Sequence, residues 1–322
     1  MKDTGLTRRG SVTYEAAVPT SLLAVVGISE IRISGRSEAS SNTPAYIDFH
    51  IMLDNTPSMG LGATQADIDK MVANTRDKWA FACHDLSDGN NYYKLAKKLG
   101  VTLRIDVLRQ ATQQLMDTAQ STMKVQNQFR AGIYTYGTSC TQTTFTTIAP
   151  LTTNLASARS AANAIDLMTI PYQGYNNDQC TDNTNTLAAL SLAIPTPGDG
   201  SNPSVPQKVL LLVSDGVTDA YYPATCTRPT TNGRCQEPIN PDICTAIKAR
   251  GVRIAVLYTT YLRLPTNAWY MKWIEPFQPT IGTRMQACAS PGLYFEVSPT
   301  QGIMQAMDAL FQKAVATARI TS

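Results

Sequence analysis

Residues Val209-Leu210-Leu211-Leu212-Val213 form an unbroken apolar, β-prone run between Lys208 and Ser214, and no other segment constrains the fold as strongly. A strand with no polar face has to be covered on both sides, as in a parallel sheet sandwiched by helices. Other segments supply the rest of that architecture. Ile47 to Leu53, Val252 to Tyr258 and the short Leu293 to Val297 read as further strands. Arg104 to Ala119, Asn154 to Met168, Thr184 to Ile194, Pro241 to Arg250 and Thr300 to Ala318 read as helices, the fourth stopped by Gly251. Phe129 to Tyr136 and Thr144 to Ile148 read as two strands joined through Gly137 as a hairpin. Alternating strands and helices predict an α/β fold with a doubly wound, mostly parallel sheet. Such a sheet binds ligands at the carboxyl ends of its strands.

The first 43 residues do not follow this alternation. Ser11 to Ala17 and Glu30 to Ser34 look extended, and Ser37, Ser40 and Ser41 lead into the first main strand. The expected division is therefore a small N-terminal β appendage with linker over 1–43 and a main domain over 44–322. Leu61 to Gly100 and Gly216 to Asn240 read as two long loops. The apolar stretch Ala16 to Ile28 has 13 residues, interrupted by Pro19, Thr20 and Ser21, too short for a membrane span of about 20. With Glu15 at its start it also fails as a signal peptide, so any anchor or export signal is expected outside this chain.

A net charge of +3 with basic residues only in pairs such as Arg8-Arg9 and Lys97-Lys98 offers no nucleic-acid footprint. None of the seven cysteines has C-x2-C spacing, which argues against zinc and for an oxidising compartment. Cys226 and Cys235 flank a loop that a disulfide would close, and Cys83, beside His84, is the candidate for the odd thiol. His50 alternates inside a strand and reads as packed. Trp269, Tyr270 and Trp273 fit either a core cluster or an exposed contact surface.

Three short segments fall at strand ends or on adjacent loops: Asp54-x-Thr56-x-Ser58, Asp182-Asn183-Thr184-Asn185-Thr186 and Ser214-Asp215-Gly216. Alone, the first is common turn chemistry. Together, in this order and strand context, they bring Asp54, Thr56, Ser58, Thr184 and Asp215 into one candidate metal site. Its donors are all hard oxygens, which suit Mg²⁺, or Ca²⁺ or Mn²⁺, and disfavour zinc and copper. So few carboxylates leave a bound ion electron-poor and receptive to an anionic oxygen from a partner.

Asp54-Asn55-Thr56-Pro57-Ser58-Met59-Gly60 resembles the D-x-S-x-S signature of the metal-ion-dependent adhesion site in von Willebrand factor A domains, with Thr56 for the usual first serine. Thr184 matches that family's separate threonine and Asp215-Gly216 its second aspartate, over Tyr46 to Ala318. The resemblance implies a Rossmann-like A-domain fold, direct ligation by Thr56 and Ser58, direct or water-mediated ligation by Thr184, and mainly indirect roles for Asp54 and Asp215. Asp182-Asn183 replaces two glycines and leaves that loop's path open.

A narrower resemblance, carried by Val18-Pro19-Thr20, Phe81-Ala82-Cys83-His84, Leu103-Arg104-Ile105-Asp106 and Cys288-Ala289-Ser290, is to TadG-type proteins of the tight-adherence (Flp) pilus system. It implies a Cys244–Cys288 disulfide and a periplasmic or cell-surface component, membrane-anchored through a missing N-terminus. Its partners would be pilus or envelope proteins offering an acidic side chain.

The alternatives are an Mg²⁺-dependent phosphatase-like hydrolase and a cytosolic A-domain subunit docking on an ATPase. The first would want a second aspartate where Thr56 stands. A serine hydrolase would want G-x-S-x-G, which is missing. The expectation is a binding protein and not an enzyme.

Overall fold

The computed structural model describes residues 2–4, 7–137, 144–172, 181–221, 226–230, 234–265, 267–298 and 302–318. In chain order the elements are β1 (Lys2–Thr4), β2 (Thr7–Pro19), β3 (Glu30–Asn42), β4 (Ile47–Leu53), α1 (Gln65–Asn74), α2 (Tyr92–Leu99), α3 (Arg104–Thr122), β5 (Phe129–Thr135), β6 (Thr146–Thr152) and α4 (Leu155–Ala161). There follow α5 (Asn183–Ala193), β7 (Gln207–Ser214), β8 (Val217–Tyr221), β9 (Arg234–Pro238), α6 (Pro241–Ala249), β10 (Arg253–Thr259), α7 (Ala268–Trp273), α8 (Gln278–Cys288), β11 (Tyr294–Val297) and α9 (Ile303–Thr317).

Six strands form the main sheet in the order β11-β10-β7-β4-β5-β6. Neighbours are parallel except β5 and β6, which pair antiparallel. The run at Val209–Val213 is buried throughout, as its composition demands. Side chains alternate across β4: Ile47, Phe49, Ile51 and Leu53 pack with Leu108, Leu115 and Phe311 of α3 and α9. Met52, with Leu210 and Leu212 of β7, packs on the other face against Leu187, Ile247 and Ile281 of α5, α6 and α8. From β4 the chain proceeds through α3 on one face; from β7 it proceeds through α6 on the other. The strand order therefore reverses between β4 and β7, and a crevice opens at their carboxyl ends.

Several expectations need correction. The stretch Leu61 to Gly100 is not one long loop. It holds α1, capped by the Thr64 side chain on Asp67 N, and α2, capped by Asn91 and ended by Gly100 in the left-handed region at φ 65°. The stretch Gly216 to Asn240 contains the hairpin β8–β9. The helix expected to reach Met168 stops early, with α4 followed by a 3-10 turn at Ala162–Ala164. Beyond that turn the backbone is claimed elsewhere: Met168 N donates to Asn55 O and Ile170 N to His84 O. In the N-terminal region β2 and β3 are longer than expected, paired antiparallel from Thr7↔Asn42 to Pro19↔Glu30, with β1 added at the edge of β2.

Disulfides join Cys226 to Cys235, at the β8–β9 hairpin, and Cys244 to Cys288, tying α6 to α8. Cys83 lies outside both bridges, and Cys140 and Cys180 lie outside the described residues. No helix among the described residues is long and apolar enough to cross a membrane.

Candidate metal centre

The adjacent strands β4 and β7 end in Asp54 and Asp215, and Asp54 N donates to Val213 O at 2.9 Å, which holds the two ends together. After Leu53 the chain turns through Asn55, whose amide spans the crevice. Its Nδ2 donates to Gly137 O at 2.6 Å and Asp166 O at 3.2 Å, and its Oδ1 accepts from Tyr136 N at 3.1 Å. Pro57 then opens a 3-10 turn, Pro57–Gly60, anchored by the fully buried Met59. A Cβ at Gly60 would stand 2.7 Å from Ala82 O, so the turn packs this close only because the residue is glycine.

The oxygens converge as that turn dictates. Asp54 Oδ1 accepts from Thr56 N at 3.0 Å and from Thr56 Oγ1 at 2.6 Å, and Asp54 Oδ2 accepts from Ser214 Oγ at 2.7 Å. Both carboxylate oxygens of Asp54 are thus engaged within the protein. Its role is to aim the Thr56 hydroxyl, whose lone pairs stay open. Thr56 Oγ1 and Ser58 Oγ lie 3.3 Å apart. Asp215 Oδ1 accepts from Val217 N at 3.3 Å, and the nearby Ser58 hydroxyl favours the ionised form of its carboxyl. Its other oxygen, Oδ2, is buried and has no hydrogen-bond partner. Gly216, at φ 74°, turns the chain away under Met285 and Ile281, where a Cβ would clash.

Such an orphaned carboxylate oxygen is costly unless something electropositive meets it. Burial, followed by the neighbouring Asp54 charge, pushes the Asp215 carboxyl up to about 7. The hard oxygens of Thr56, Ser58 and Asp215 on one cavity wall, with one Asp215 oxygen unsatisfied, fit a divalent cation.

Thr184 sits half-buried in the first turn of α5 and, like Asp54, is not among the residues bounding the cavity beside Asp215, whereas Thr181 is. Asp182 caps α5 by accepting from Asn185 N at 2.9 Å. Asn183 turns inward, taking the Tyr136 hydroxyl on Oδ1 and donating to Thr218 Oγ1 at 2.9 Å. Those two residues stand where the family's glycines would be, and their side chains fix the loop.

Arg104, the first residue of α3, is a contributor that the sequence reading did not single out. Its amide is pinned to Leu61 O at 2.8 Å, just beyond the 3-10 turn. The side chain is fully buried, with Nε and Nη2 lacking hydrogen-bond partners. Burial lowers its pKa, opposed by the charges of Asp215 and then Asp54. A guanidinium stays charged under such conditions, so it is a fixed positive charge behind the two carboxylates.

The sheet order, the reversal at β4 and β7, and the oxygens at their ends now stand together. The main domain has a doubly wound, mostly parallel α/β fold of the kind that the von Willebrand factor A resemblance implies. No family profile and no curated relative matches the chain. Similar solved structures include the von Willebrand factor domain of the type V pilus tip protein Mfa5 from Porphyromonas gingivalis, 10% identical over 86% of this chain and 97% of that one, with TM-score 0.46. The pilus adhesin SpaC from Lactobacillus rhamnosus GG is 12% identical over 87% and 31%, with TM-score 0.48. Proximal thread matrix protein 1 from the mussel byssus, in a structure with a zinc-occupied metal-ion-dependent adhesion site, is 13% identical over 84% and 46%, with TM-score 0.45. Likenesses at this level concern fold outline and carry no argument about what the domain binds.

Proposed function

We propose that this A-like domain, with residues 1–43 as its appendage, binds one divalent cation and offers it to an acidic group on a protein partner. The observation that carries the reading is the buried, unpartnered Asp215 Oδ2 beside the hydroxyls of Thr56 and Ser58. Thr56 and Ser58 would hold the ion directly. Asp54 would orient Thr56, Asp215 would ligate directly or through water, and Thr184 or Thr181 would supply a further hydroxyl. All-oxygen donors favour Mg²⁺, with Ca²⁺ or Mn²⁺ as substitutes. A bound ion would supply a Lewis-acidic position open to an external oxygen.

Charge supports an anionic partner. Two carboxylates and a divalent cation cancel, and Arg104 then leaves the loaded centre with one net positive charge, which an incoming carboxylate neutralises. Two disulfides fit an oxidising setting such as a periplasm or cell surface, and adhesion or pilus assembly of the tight-adherence kind is the role we assign there. Catalysis is disfavoured because Thr56 stands where a phosphoryl-transferring aspartate pair would need its second member. The two histidines serve as packing groups, His50 stacked on Tyr134 and His84 on Tyr93.

Calorimetric titration with Mg²⁺ and Mn²⁺ tests the reading. The expected result is one site per chain, lost in Ser58→Ala and in Asp54→Ala while the circular dichroism spectrum is retained. Unchanged binding in both variants overturns the ligand set.

A further inference from the structure

A cavity of about 340 Å³ opens directly onto the metal-side oxygens. Thr56, Ser58 and Asp215 form one end. An apolar wall is supplied by Trp79, Phe81, Tyr261, Leu264, Trp269 and Tyr270, which come from two stretches far apart in the chain. A volume near the lower limit for ligand pockets suits one large side chain with its neighbour.

The apolar wall is built in advance of any ligand. Trp269 donates from Nε1 to Gln236 Oε1 at 2.8 Å, and the Arg234 guanidinium lies 4.8 Å from its ring centroid. Arg234 in turn is held by Asp219, through Nε at 2.7 Å, and Gln236 Nε2 donates to the same carboxylate at 2.9 Å. The ionised groups at that end therefore satisfy one another and leave no unmatched charge to recruit a ligand. Tyr270 is buried against the nearly parallel Tyr261 ring, whose centroid lies 6.4 Å away. A rigid aromatic wall with its polar edges satisfied is what an anchoring apolar side chain requires.

We infer that the domain recognises a two-part determinant on its protein partner: a carboxylate that reaches the cation, and an aromatic or large aliphatic side chain beside it that fills the Trp269–Leu264 end of the cavity. The inference rests on the proposed metal reading and adds the chemistry of the partner. The electropositive end and the charge-balanced aromatic end are continuous in one concavity, so neither a bare carboxylate nor a bare apolar group uses the whole site. A peptide pairing Asp or Glu with Phe, Tyr, Trp or Leu uses both.

The test employs small probes on the full chain, read by tryptophan fluorescence and calorimetry: 3-phenylpropanoate, propanoate and 3-phenylpropan-1-ol, each with Mg²⁺ and with chelator. Burying one aromatic ring should make 3-phenylpropanoate bind at least about tenfold more tightly than propanoate. Its binding should depend on Mg²⁺, and the alcohol should bind more weakly than the acid. Trp269→Ala, and the milder Leu264→Ala, should reduce the advantage of the ring with Mg²⁺ uptake unchanged. Equal affinity for propanoate and 3-phenylpropanoate in Mg²⁺-loaded protein overturns the inference alone. So does the alcohol matching the acid with no need of Mg²⁺. Failure of Mg²⁺ to bind overturns the metal reading beneath it, so the two failures are told apart.

Discussion

The strands β4 and β7 carry buried charge at both ends, and the two ends are built on opposite plans. Where β4 begins, Asp48 Oδ1 accepts from Arg130 Nε at 2.6 Å, and its Oδ2 accepts both from Arg130 Nη2 at 2.7 Å and from Lys208 at the start of β7. Every oxygen there is used, and the cluster is closed. Where the same strands finish, Asp215 keeps an unpartnered oxygen, and Arg104 lies behind it without a direct hydrogen bond from Nε or Nη2. Equal burial thus accompanies saturation at one end and an unmet electrostatic demand at the other. Structural charge is satisfied within the chain, whereas a binding centre leaves part of its satisfaction to an outside group.

The largest expected effect belongs to the closed end. Asp48→Asn strands Lys208, which is only 3% exposed, and removing one member of a buried pair costs about 3–5 kcal/mol. Urea unfolding should show that loss whether or not divalent cation is present. Asp215→Asn should cost the metal-free protein less, because it relieves the repulsion with Asp54 while Arg104 still faces the Asp54 charge. If the two variants destabilise metal-free protein equally, the contrast between the ends is wrong.

Much of this arrangement is legible in the sequence because period and composition determine it. The run Val209–Val213 admits no half-exposed strand, so Ser214-Asp215-Gly216 has to emerge at its carboxyl end. Ile47–Leu53 delivers Asp54 in the same way. The caps Thr64 and Asn91 with Gly100 were also present in the loop that proved to hold α1 and α2, hidden among polar residues. What was not legible depends on contacts between remote segments. Asn183 faces Tyr136 across 47 positions, and that contact fixes the loop on which Thr181 reaches the cavity and Thr184 does not. Arg104 reads as an ordinary first residue of an amphipathic helix, and only the packing of α3 against the 3-10 turn buries it. The aromatic wall joins Trp79 to Trp269 with no local pattern to announce it.

A smaller effect sharpens the account of the open end. Replacing Arg104 by Met removes a unit positive charge close to where the cation would sit. Relief of that repulsion should tighten Mg²⁺ binding by at least about tenfold, or roughly 1.4 kcal/mol. The same change should weaken propanoate binding to the loaded protein, since the centre then carries no surplus charge. Calorimetry on Arg104→Met gives both numbers. Unchanged or weaker Mg²⁺ binding would mean that the guanidinium does not act on the ion.

The smallest net effect is in the pH dependence of metal-free protein, where the two ends oppose each other. Burial lowers His50, on β4 between them, to about 4 from its ordinary 6.5. Between those values the unfolded chain binds the proton and the folded one does not, so this group makes stability fall as pH is lowered. Asp215 has the opposite sign. Its carboxyl is raised from 3.8 to about 7, the folded state binds the proton, and stability falls as pH is raised through that window. Each slope is at most about 1.4 kcal/mol per pH unit, and between pH 4 and 6.5 they nearly cancel. Relative to wild type, Asp215→Asn should therefore gain stability with rising pH, and His50→Gln should lose it. Both measurements are made by urea unfolding in chelator. Saturating Mg²⁺ should remove the Asp215 slope, because a cation takes the position of the proton, and should leave the His50 slope at the closed end untouched. A Mg²⁺ effect of equal size on both slopes would show that the two ends are not electrostatically separate.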